Sequence, residues 1–239
     1  MNNFTIIIPI YNESDSIFVL VKEIKKEFRG KLPEIIIVDD GSTDSFVSEK
    51  KKLTNNIKII SHKNNLGKCM AMMTGVKAAN NNVICIIDGD GQNPPYEIKK
   101  MIDYWYQVTK TWKSFVLICG NRKKRKDTFL KRFSSKVANI VRKFILNDDC
   151  DDTACALKVF NKKDYLKIKY FKNMHRFLPA LFKMKKGRIF NVLVDDRQRF
   201  AGVSKFNFNN RFWIGIIDLF KVWLLTVSYT HLTLPTKSS

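Results

Sequence analysis

The strongest constraint on the fold is the alternation of short apolar, β-branched runs with helical patterns in the first half of the chain. Between the runs, Ser16–Phe28 places its apolar residues on one helical face, and Gly67–Ala79 predicts a second helix. Such alternation is typical of βαβ units, so it predicts an α/β domain with a mostly parallel central sheet. The predicted strands are Phe4–Ile10, Glu34–Asp39, Ile57–Ser61 and Val83–Asp88.

Polar or glycine-containing segments follow these predicted strands. Pro9–Glu13 closes the first, Asp39–Asp44 the second and Asp88–Gln92 the fourth. The carboxyl ends of parallel strands meet at one edge of an open α/β sheet, and ligands bind outside that edge. The sequence therefore predicts a ligand site built from these loops.

The segment Asp88-Gly89-Asp90 predicts a metal site. Alternate residues of an extended segment point the same way, so both carboxylates can face one ligand. With the side-chain amide of Gln92 they form a set of oxygen donors suited to Mg²⁺ or Mn²⁺, which bridge to substrate phosphates. The alternative, a loop of solvated acids, is weakened by the position of this segment at a strand end.

The second strand ends in Asp39-Asp40-Gly41-Ser42, where two interpretations stay open. The carboxylates can accept hydrogen bonds from a base N–H or a ribose hydroxyl. They can also serve a tight turn from strand to helix, for which Gly41 and Ser42 are suitable. Tyr11, after the first strand, can stack on or flank a base.

The charge of the chain predicts an acidic partner. Its 239 residues include 43 Lys and Arg against 22 Asp and Glu, a formal net charge of +21. Residues 99–143 hold fourteen of the basic residues and only two acidic ones. Nucleic acid, an anionic membrane surface and a phosphorylated small molecule all fit this charge. With 45% hydrophobic residues, the chain is too apolar for intrinsic disorder.

Other sequence features indicate the redox state of the cysteines and the relation of the chain to membranes. The five cysteines form no C-x-x-C pair, so neither a disulfide framework nor a zinc site is expected, and reduced thiols are favoured. We see no secretory signal and no apolar stretch long enough to cross a membrane. The aromatic and apolar residues of Phe212–Leu225 instead predict a helix at a membrane interface.

Six ordered motifs across residues 4–225 resemble glycosyltransferase family 2, which has the GT-A fold. Within that family the chain resembles the polyprenyl-phosphate sugar transferases typified by dolichyl-phosphate mannose synthase. The motifs are Pro9-Ile10-Tyr11-Asn12-Glu13, Ile37-Val38-Asp39-Asp40-Gly41-Ser42, Asn65-Leu66-Gly67-Lys68, Asp88-Gly89-Asp90-Gly91-Gln92-Asn93-Pro94, Gly120-Asn121-Arg122 and Gly202-Val203-Ser204-Lys205.

The resemblance implies a nucleotide-sugar donor, a divalent cation (Mg²⁺ or Mn²⁺) and a polyprenyl-phosphate acceptor at the cytoplasmic membrane face. It implies a catalytic role for Asp90 and a metal site formed by Asp88, Asp90 and Gln92. The residues it assigns to nucleotide-sugar binding are Pro9, Tyr11, Glu13, Asp39, Asp40, Lys68 and Asp88.

For the acceptor phosphate, the resemblance points to basic and hydroxyl side chains in the second half of the chain. They are Arg122, Arg132, Ser135, Arg199, Ser204 and Lys205. The last three match a loop of the family that closes over both donor and acceptor phosphates. The chain departs from the family pattern at Asp195-Asp196-Arg197, because an acidic pair beside a phosphate site is unfavourable unless it faces away or pairs with Arg197.

The expected reaction is an inverting displacement in which a phosphate acceptor needs little help from a base. A phosphate monoester has its second pKa near ~6 and arrives largely ionised at neutral pH. Asp152 matches an active-site Asp of the family and is assigned a catalytic role, as base or positioning residue. The alternative is that Asp152 neutralises nearby arginines. The Q-x-x-R-W motif of processive polysaccharide synthases is absent, so polymer synthesis is disfavoured.

We expect a GT-A domain over residues 1–210, a membrane-interface helix over 211–228 and a non-native read-through tail over 229–239. The natural chain is then expected to continue beyond about residue 227.

One alternative function is a family 2 transferase with a non-lipid glycan acceptor. A basic nucleic-acid-binding module is the other alternative. It is disfavoured because Phe129 and Phe133 are the only aromatic residues in the basic patch at 122–136, and their helical spacing is typical of core residues.

Overall fold

A seven-stranded sheet forms the centre of the protein. The computed structural model describes residues 3–53, 56–123, 142–143, 145–200 and 217–225. The sheet consists of β1 (Thr5–Ile10), β2 (Glu34–Asp39), β3 (Ile57–Ser61), β4 (Val83–Ile86), β5 (Val116–Arg122), β6 (Lys158–Asn161) and β7 (Arg188–Val194). The four strands predicted in the first half of the chain are all present, and the fourth ends two residues earlier than predicted.

The strand order is β3-β2-β1-β4-β6-β5-β7. The pairs β1–β2, β1–β4, β2–β3 and β5–β7 are parallel, whereas β6 is antiparallel to both β4 and β5. The prediction of a mostly parallel sheet is therefore confirmed. The antiparallel strand β6 lies between β4 and β5, so the loop before β6 reaches the same edge of the sheet as the carboxyl ends of β4 and β5.

Helices connect the strands and cover both faces of the sheet. The helices are α1 (Ser14–Glu27), α2 (Phe46–Glu49), α3 (Lys68–Ala78), α4 (Pro95–Val108), α5 (Lys162–Leu166) and α6 (Leu178–Met184). Short 3₁₀ turns lie at Lys50–Leu53 and Met174–Arg176. The predicted helices at Ser16–Phe28 and Gly67–Ala79 correspond to α1 and α3, with ends displaced by one or two residues.

The alternation of side chains along β1 divides the core into two parts. Ile6 and Ile8 pack with buried residues of α1 and α4, and Ile7 packs with α3 and α6 on the other face. All six residues of β1 are buried, as expected for a parallel strand covered on both faces. Helix α3 lies close to β1 at Gly75, where a Cβ atom would lie 2.5 Å from Cγ2 of Ile7.

Residues 217–225 are helical, and most of their apolar side chains face solvent. Phe220 is 58% exposed, while Val222 is fully buried and Asp218 accepts a hydrogen bond from Asn173 Nδ2 at 2.9 Å. This helix is therefore attached to the domain by one side. In the described residues, no helix has the length and hydropathy needed to cross a membrane. The proposed role of this helix at a membrane interface stays a prediction.

Candidate active site

The loops after β1 and β2 are joined by hydrogen bonds. Asn12 N donates to Ser42 Oγ at 2.9 Å, and Thr43 N donates to Asn12 Oδ1 at 2.7 Å. Ser14 N, at the start of α1, donates to Asp44 Oδ2 at 2.8 Å. These side chains satisfy backbone groups that the helix and turn leave unpaired. The two loops therefore form one platform at the carboxyl edge of the sheet.

Of the residues predicted to bind the nucleotide, Pro9, Tyr11, Glu13 and Asp39 lie on or beside this platform. Pro9 is buried within β1, whereas the Tyr11 ring is 38% exposed and so accessible to a base. Glu13 Oε2 accepts a hydrogen bond from Ser16 Oγ at 3.2 Å, and Asp39 Oδ1 accepts from Ser42 N at 2.9 Å. Asp39 thus serves the turn, and its proposed contact with the nucleotide stays a prediction.

Asp40 is directed into the protein and organises the loop before α3. Its Oδ1 lies 2.7 Å from His62 Nδ1, and the backbone N–H groups of Leu66 and Gly67 donate to its two oxygens at 3.0 and 2.7 Å. The side chain is almost fully buried. These contacts favour the turn interpretation for Asp40 and give it a positioning role toward Lys68, the next residue after Gly67.

At Gly41, the loop after β2 packs closely against Asn64 and Asn65, which precede α3. The φ of Gly41 is +76°, and a Cβ atom would lie 2.7 Å from the carbonyl carbon of Asn64.

We expect Gly41→Ala to lower the melting temperature by several degrees more than Gly30→Ala. Both substitutions incur about 1–2 kcal/mol of left-handed strain, but Gly30 has open space around it, so only Gly41→Ala adds the cost of overpacking. Equal shifts of the two variants in thermal unfolding would contradict this.

Lys68 and Asp88 form an ion pair at the centre of the edge. Lys68 is the first residue of α3, and its Nζ contacts Asp88 Oδ1. Both side chains are about one-third exposed, so the pair faces an accessible region. The contact brings together two residues that are twenty positions apart in the sequence. Their assignment to nucleotide-sugar binding stays a prediction.

Asp90 is buried, and its carboxylate is held in place by two neighbours. Gln92 N donates to Asp90 Oδ1 at 3.0 Å, and Arg199 Nη2 lies 3.3 Å from Asp90 Oδ2. Burial, and then the negative charge of Asp88, raises the pKa of Asp90 to about 6. The Asp88–Asp90 pair is thus a site where an added cation would relieve repulsion between two carboxylates.

This donor set fits a Mg²⁺ or Mn²⁺ ion that is shared with a substrate. Two carboxylates supply hard oxygen ligands, and the cations Lys68 and Arg199 already lie against them. Within the described ranges, no group of three or more His, Cys, Asp or Glu side chains is arranged to hold a metal ion. Asp88 and Asp90 would hold such an ion together with phosphate oxygens of a substrate. A ligand role for the Gln92 side chain stays a prediction.

Asp195, the first acidic residue of the departure from the family pattern, binds side chains outside this carboxylate pair. Tyr96 Oη donates to Asp195 Oδ2 at 3.0 Å, and Lys123 Nζ lies 3.2 Å from Asp195 Oδ1. Arg197 does not pair with Asp195, because its guanidinium binds Glu23 of α1. Glu23 lies on the polar side of α1, where no sequence pattern marked it.

Arg122 and Asp152 form a bidentate ion pair. Arg122 Nε donates to Asp152 Oδ2 at 2.6 Å and Nη2 donates to Oδ1 at 3.0 Å. Both side chains are largely buried. Because Asp152 occupies the Arg122 guanidinium, the contact is the one expected if Asp152 neutralises an arginine. The roles of Arg122 in phosphate binding and of Asp152 as a base stay predictions.

The rest of the acidic segment at 148–152 also meets basic side chains. Arg142 Nε lies 2.8 Å from Asp148 Oδ2, Lys143 Nζ lies 2.6 Å from Asp151 Oδ1, and Lys183 Nζ contacts Asp149. Part of the excess positive charge of residues 99–143 is thus neutralised within the domain. The predicted residues Arg132, Ser135, Ser204 and Lys205 lie outside the described residues.

The fold and site together define a GT-A-like domain with the Asp88–Asp90 pair at the carboxyl edge of its sheet. The family model of glycosyl transferase family 2 matches residues 5–180, so the chain belongs to that family. A solved structure of glucosyl-3-phosphoglycerate synthase from Mycobacterium tuberculosis, in complex with Mg²⁺ and uridine diphosphate, has the same fold. It is 14% identical, with a TM-score of 0.67 over 94% of this chain and 79% of that chain.

Two curated relatives extend the similarity beyond the family domain. The dodecaprenyl-phosphate galacturonate synthase of Rhizobium johnstonii is 31% identical over 227 residues, which are 91% of this chain and 65% of the relative. The undecaprenyl-phosphate 4-deoxy-4-formamido-L-arabinose transferase of Pectobacterium carotovorum is 27% identical over 214 residues, 87% of this chain and 64% of the relative. The chain thus spans just under two thirds of the length of these relatives.

Proposed function

We propose that the protein transfers a sugar from a UDP- or GDP-sugar to a polyprenyl phosphate, with inversion, at the cytoplasmic face of a membrane. The observation that carries the proposal is the Asp88–Asp90 pair, which lies at the sheet edge beside the loops that end β1 and β2 and is balanced by Lys68 and Arg199. Polyprenyl-phosphate sugar transfer is what the names of both curated relatives describe.

The donor half of the reaction follows from charge. Asp88 and Asp90 would hold a divalent cation, which when bound acts as a Lewis acid on the diphosphate leaving group. Lys68 and Arg199 are each about one-third exposed beside the carboxylates, so their charged groups are accessible to the diphosphate oxygens of a bound donor. Fixed positive charge at the leaving group stabilises the negative charge that develops as the sugar bond breaks.

The acceptor half needs a bound, ionised phosphate. One of its oxygens attacks the anomeric carbon as the bond from that carbon to the diphosphate oxygen breaks, so a single displacement inverts the configuration. The electron pair of the broken bond leaves with the nucleoside diphosphate. Arg122 lies at the end of β5 on the same edge of the sheet, and we assign acceptor-phosphate binding to it together with Arg132, Ser135, Ser204 and Lys205.

The 217–225 helix and the basic charge support attachment to an anionic membrane. Trp223, Leu224 and Leu225 are all more than one-third exposed on this helix. Aromatic and apolar side chains of this kind insert at the boundary between headgroups and acyl chains. Each Lys or Arg near an anionic leaflet adds up to about 1 kcal/mol of binding. A lipid acceptor would be presented to the site at that surface.

The test is transfer of radiolabel from a panel of UDP- and GDP-sugars to polyprenyl phosphate in detergent, with Mn²⁺ or Mg²⁺ and with EDTA. We expect an organic-extractable product from one donor that disappears with EDTA. Asp88→Asn should abolish it, and Asp103→Asn, which removes an exposed charge from α4, should not. Donor consumption with label only in water-soluble glycan would overturn the lipid assignment. No binding of any nucleotide sugar would overturn the donor site as well.

A further inference from the structure

The residues that follow β7 lie directly on the Asp88–Asp90 loop. We name residues 195–200 the strap. Arg197 N donates to Gln92 O at 3.0 Å, and Phe200 N donates to Asp90 O at 3.3 Å. The Phe200 ring covers Gly91 so closely that a Cβ atom there would lie 2.3 Å from the ring. The strap therefore fixes the backbone of the carboxylate loop from outside.

Arg197 holds the strap through its side chain. Its guanidinium donates to both carboxylate oxygens of Glu23, at 3.1 and 2.5 Å, and its Nε donates to Gly91 O at 2.6 Å. The same group lies 4.2 Å from the centroid of the Phe200 ring. One side chain thus connects α1, the carboxylate loop and the end of the strap. A lysine could not make these contacts, because it lacks the planar fork.

Arg199, two residues further along the strap, is the cation that meets Asp90. Arg199 lies between two anchored residues of the strap: Arg197, whose side chain binds Glu23 and Gly91 O, and Phe200, whose backbone N–H donates to Asp90 O. Before a metal ion binds, Arg199 and Lys68 balance the two carboxylates. Binding of a cation to this pair must compete with Arg199 for Asp90.

We propose that Glu23 and Arg197 are positioning residues, whose ion pair holds Arg199 against the Asp88–Asp90 pair and places it for the donor diphosphate. The inference rests on the proposed function and goes beyond it, because Glu23 touches neither substrate nor metal. If the Glu23–Arg197 ion pair is broken, the affinity for a divalent cation and the affinity for the nucleotide sugar should change in opposite directions. A freed Arg199 competes less for Asp90, so a divalent cation alone binds more tightly, whereas the nucleotide sugar loses a positioned cation and binds more weakly.

The experiment compares Glu23→Gln with the matched control Glu27→Gln, which removes the same charge from an exposed position one turn further along α1. Mn²⁺ alone is titrated into each protein and followed by electron paramagnetic resonance. Since partly exposed ion pairs contribute little, we expect the Kd for Mn²⁺ to fall only about two- to fivefold in Glu23→Gln. The KM for the sugar donor should rise by a similar factor with kcat little changed. Glu27→Gln should change neither value.

Arg197→Gln and the double variant Glu23→Gln/Arg197→Gln complete a double-mutant cycle. Because the two residues act as one unit, the double variant should have the Mn²⁺ affinity of the Arg197→Gln variant rather than the summed effect. Unchanged or weaker Mn²⁺ binding in Glu23→Gln overturns the proposal, as does a failure of all the proteins to bind Mn²⁺. Failure of the proposed function is a separate result, since it leaves the Mn²⁺ titration intact while the unmodified chain forms no lipid-linked product.

Discussion

Replacing Asp90 by Asn is expected to reduce the rate of sugar transfer about 100- to 1,000-fold. The same substitution is expected to raise the melting temperature of the protein at pH 7. The loss of activity follows from removing one of the two carboxylates proposed to hold the cation at the leaving group. The gain in stability follows because Asp90 is buried beside Asp88 and must carry its charge there at a cost. A residue with opposite effects on activity and stability is typical of a functional site.

The sign of the pH dependence can be worked out from the raised pKa. Asp90 has a pKa of about 6 in the folded protein, whereas an unfolded Asp has one near ~4. The folded state therefore binds this proton more tightly, so its stability falls as the pH rises from about 4 to about 6. At pH 7 the difference of about two pKa units corresponds to about 3 kcal/mol, or several degrees in melting temperature.

Thermal unfolding of both proteins from pH 4 to pH 8 tests this prediction. The advantage of Asp90→Asn should be largest above pH 6 and should become small toward pH 4, where Asp90 is protonated in the folded state and about half protonated in the unfolded state. Asp103→Asn removes an exposed charge and should show no such trend. A variant that keeps more than a tenth of the activity, or that is less stable at pH 7, would contradict the assigned role of Asp90.

The position of the site was predictable from sequence because it depends on periodicity and topology alone. Four apolar runs, each followed by polar or glycine residues, place Asp39 and Asp88 at one edge whatever their contacts. The ion pair between Lys68 and Asp88 lies at this edge, as this reasoning expects. The antiparallel direction of β6 was not predictable in this way, since an apolar run fits a buried strand in either direction.

The partners of individual polar side chains were not predictable, because they are set by tertiary packing. Asp39 and Asp40 are adjacent and chemically alike, yet the carboxylate of Asp40 binds the loop before α3 through both oxygens. Arg197 and Glu23 are separated by 174 residues, and nothing in a helical pattern distinguishes Glu23 from other acids on the polar face of α1. Such pairings determine which of the predicted residues remain available to a ligand.

Asp152→Ala is expected to lower the melting temperature more than the same change at Asp149 or Asp151, whose ion pairs are exposed. Asp152→Ala leaves the Arg122 guanidinium, with only 12% of its side chain exposed, buried without its carboxylate. Breaking a buried ion pair in this way costs about 3–5 kcal/mol, which is roughly 10 °C in melting temperature for a chain of this size. Asp151→Ala is the matched control, because the Lys143–Asp151 pair is nearly half exposed and contributes at most about 1 kcal/mol.

Two further variants separate the role of this pair in stability from a role in chemistry. Arg122→Met with Asp152→Ala removes both charges, so it should recover much of the stability that Asp152→Ala loses. Asp152→Asn keeps the shape of the side chain but removes the base. Because a polyprenyl phosphate is already ionised at neutral pH, kcat of Asp152→Asn should fall by less than the 100-fold expected for loss of a general base. A larger fall in kcat, measured well below the melting temperature of the variant, would assign proton transfer to Asp152 and so would favour a hydroxyl acceptor over a phosphate.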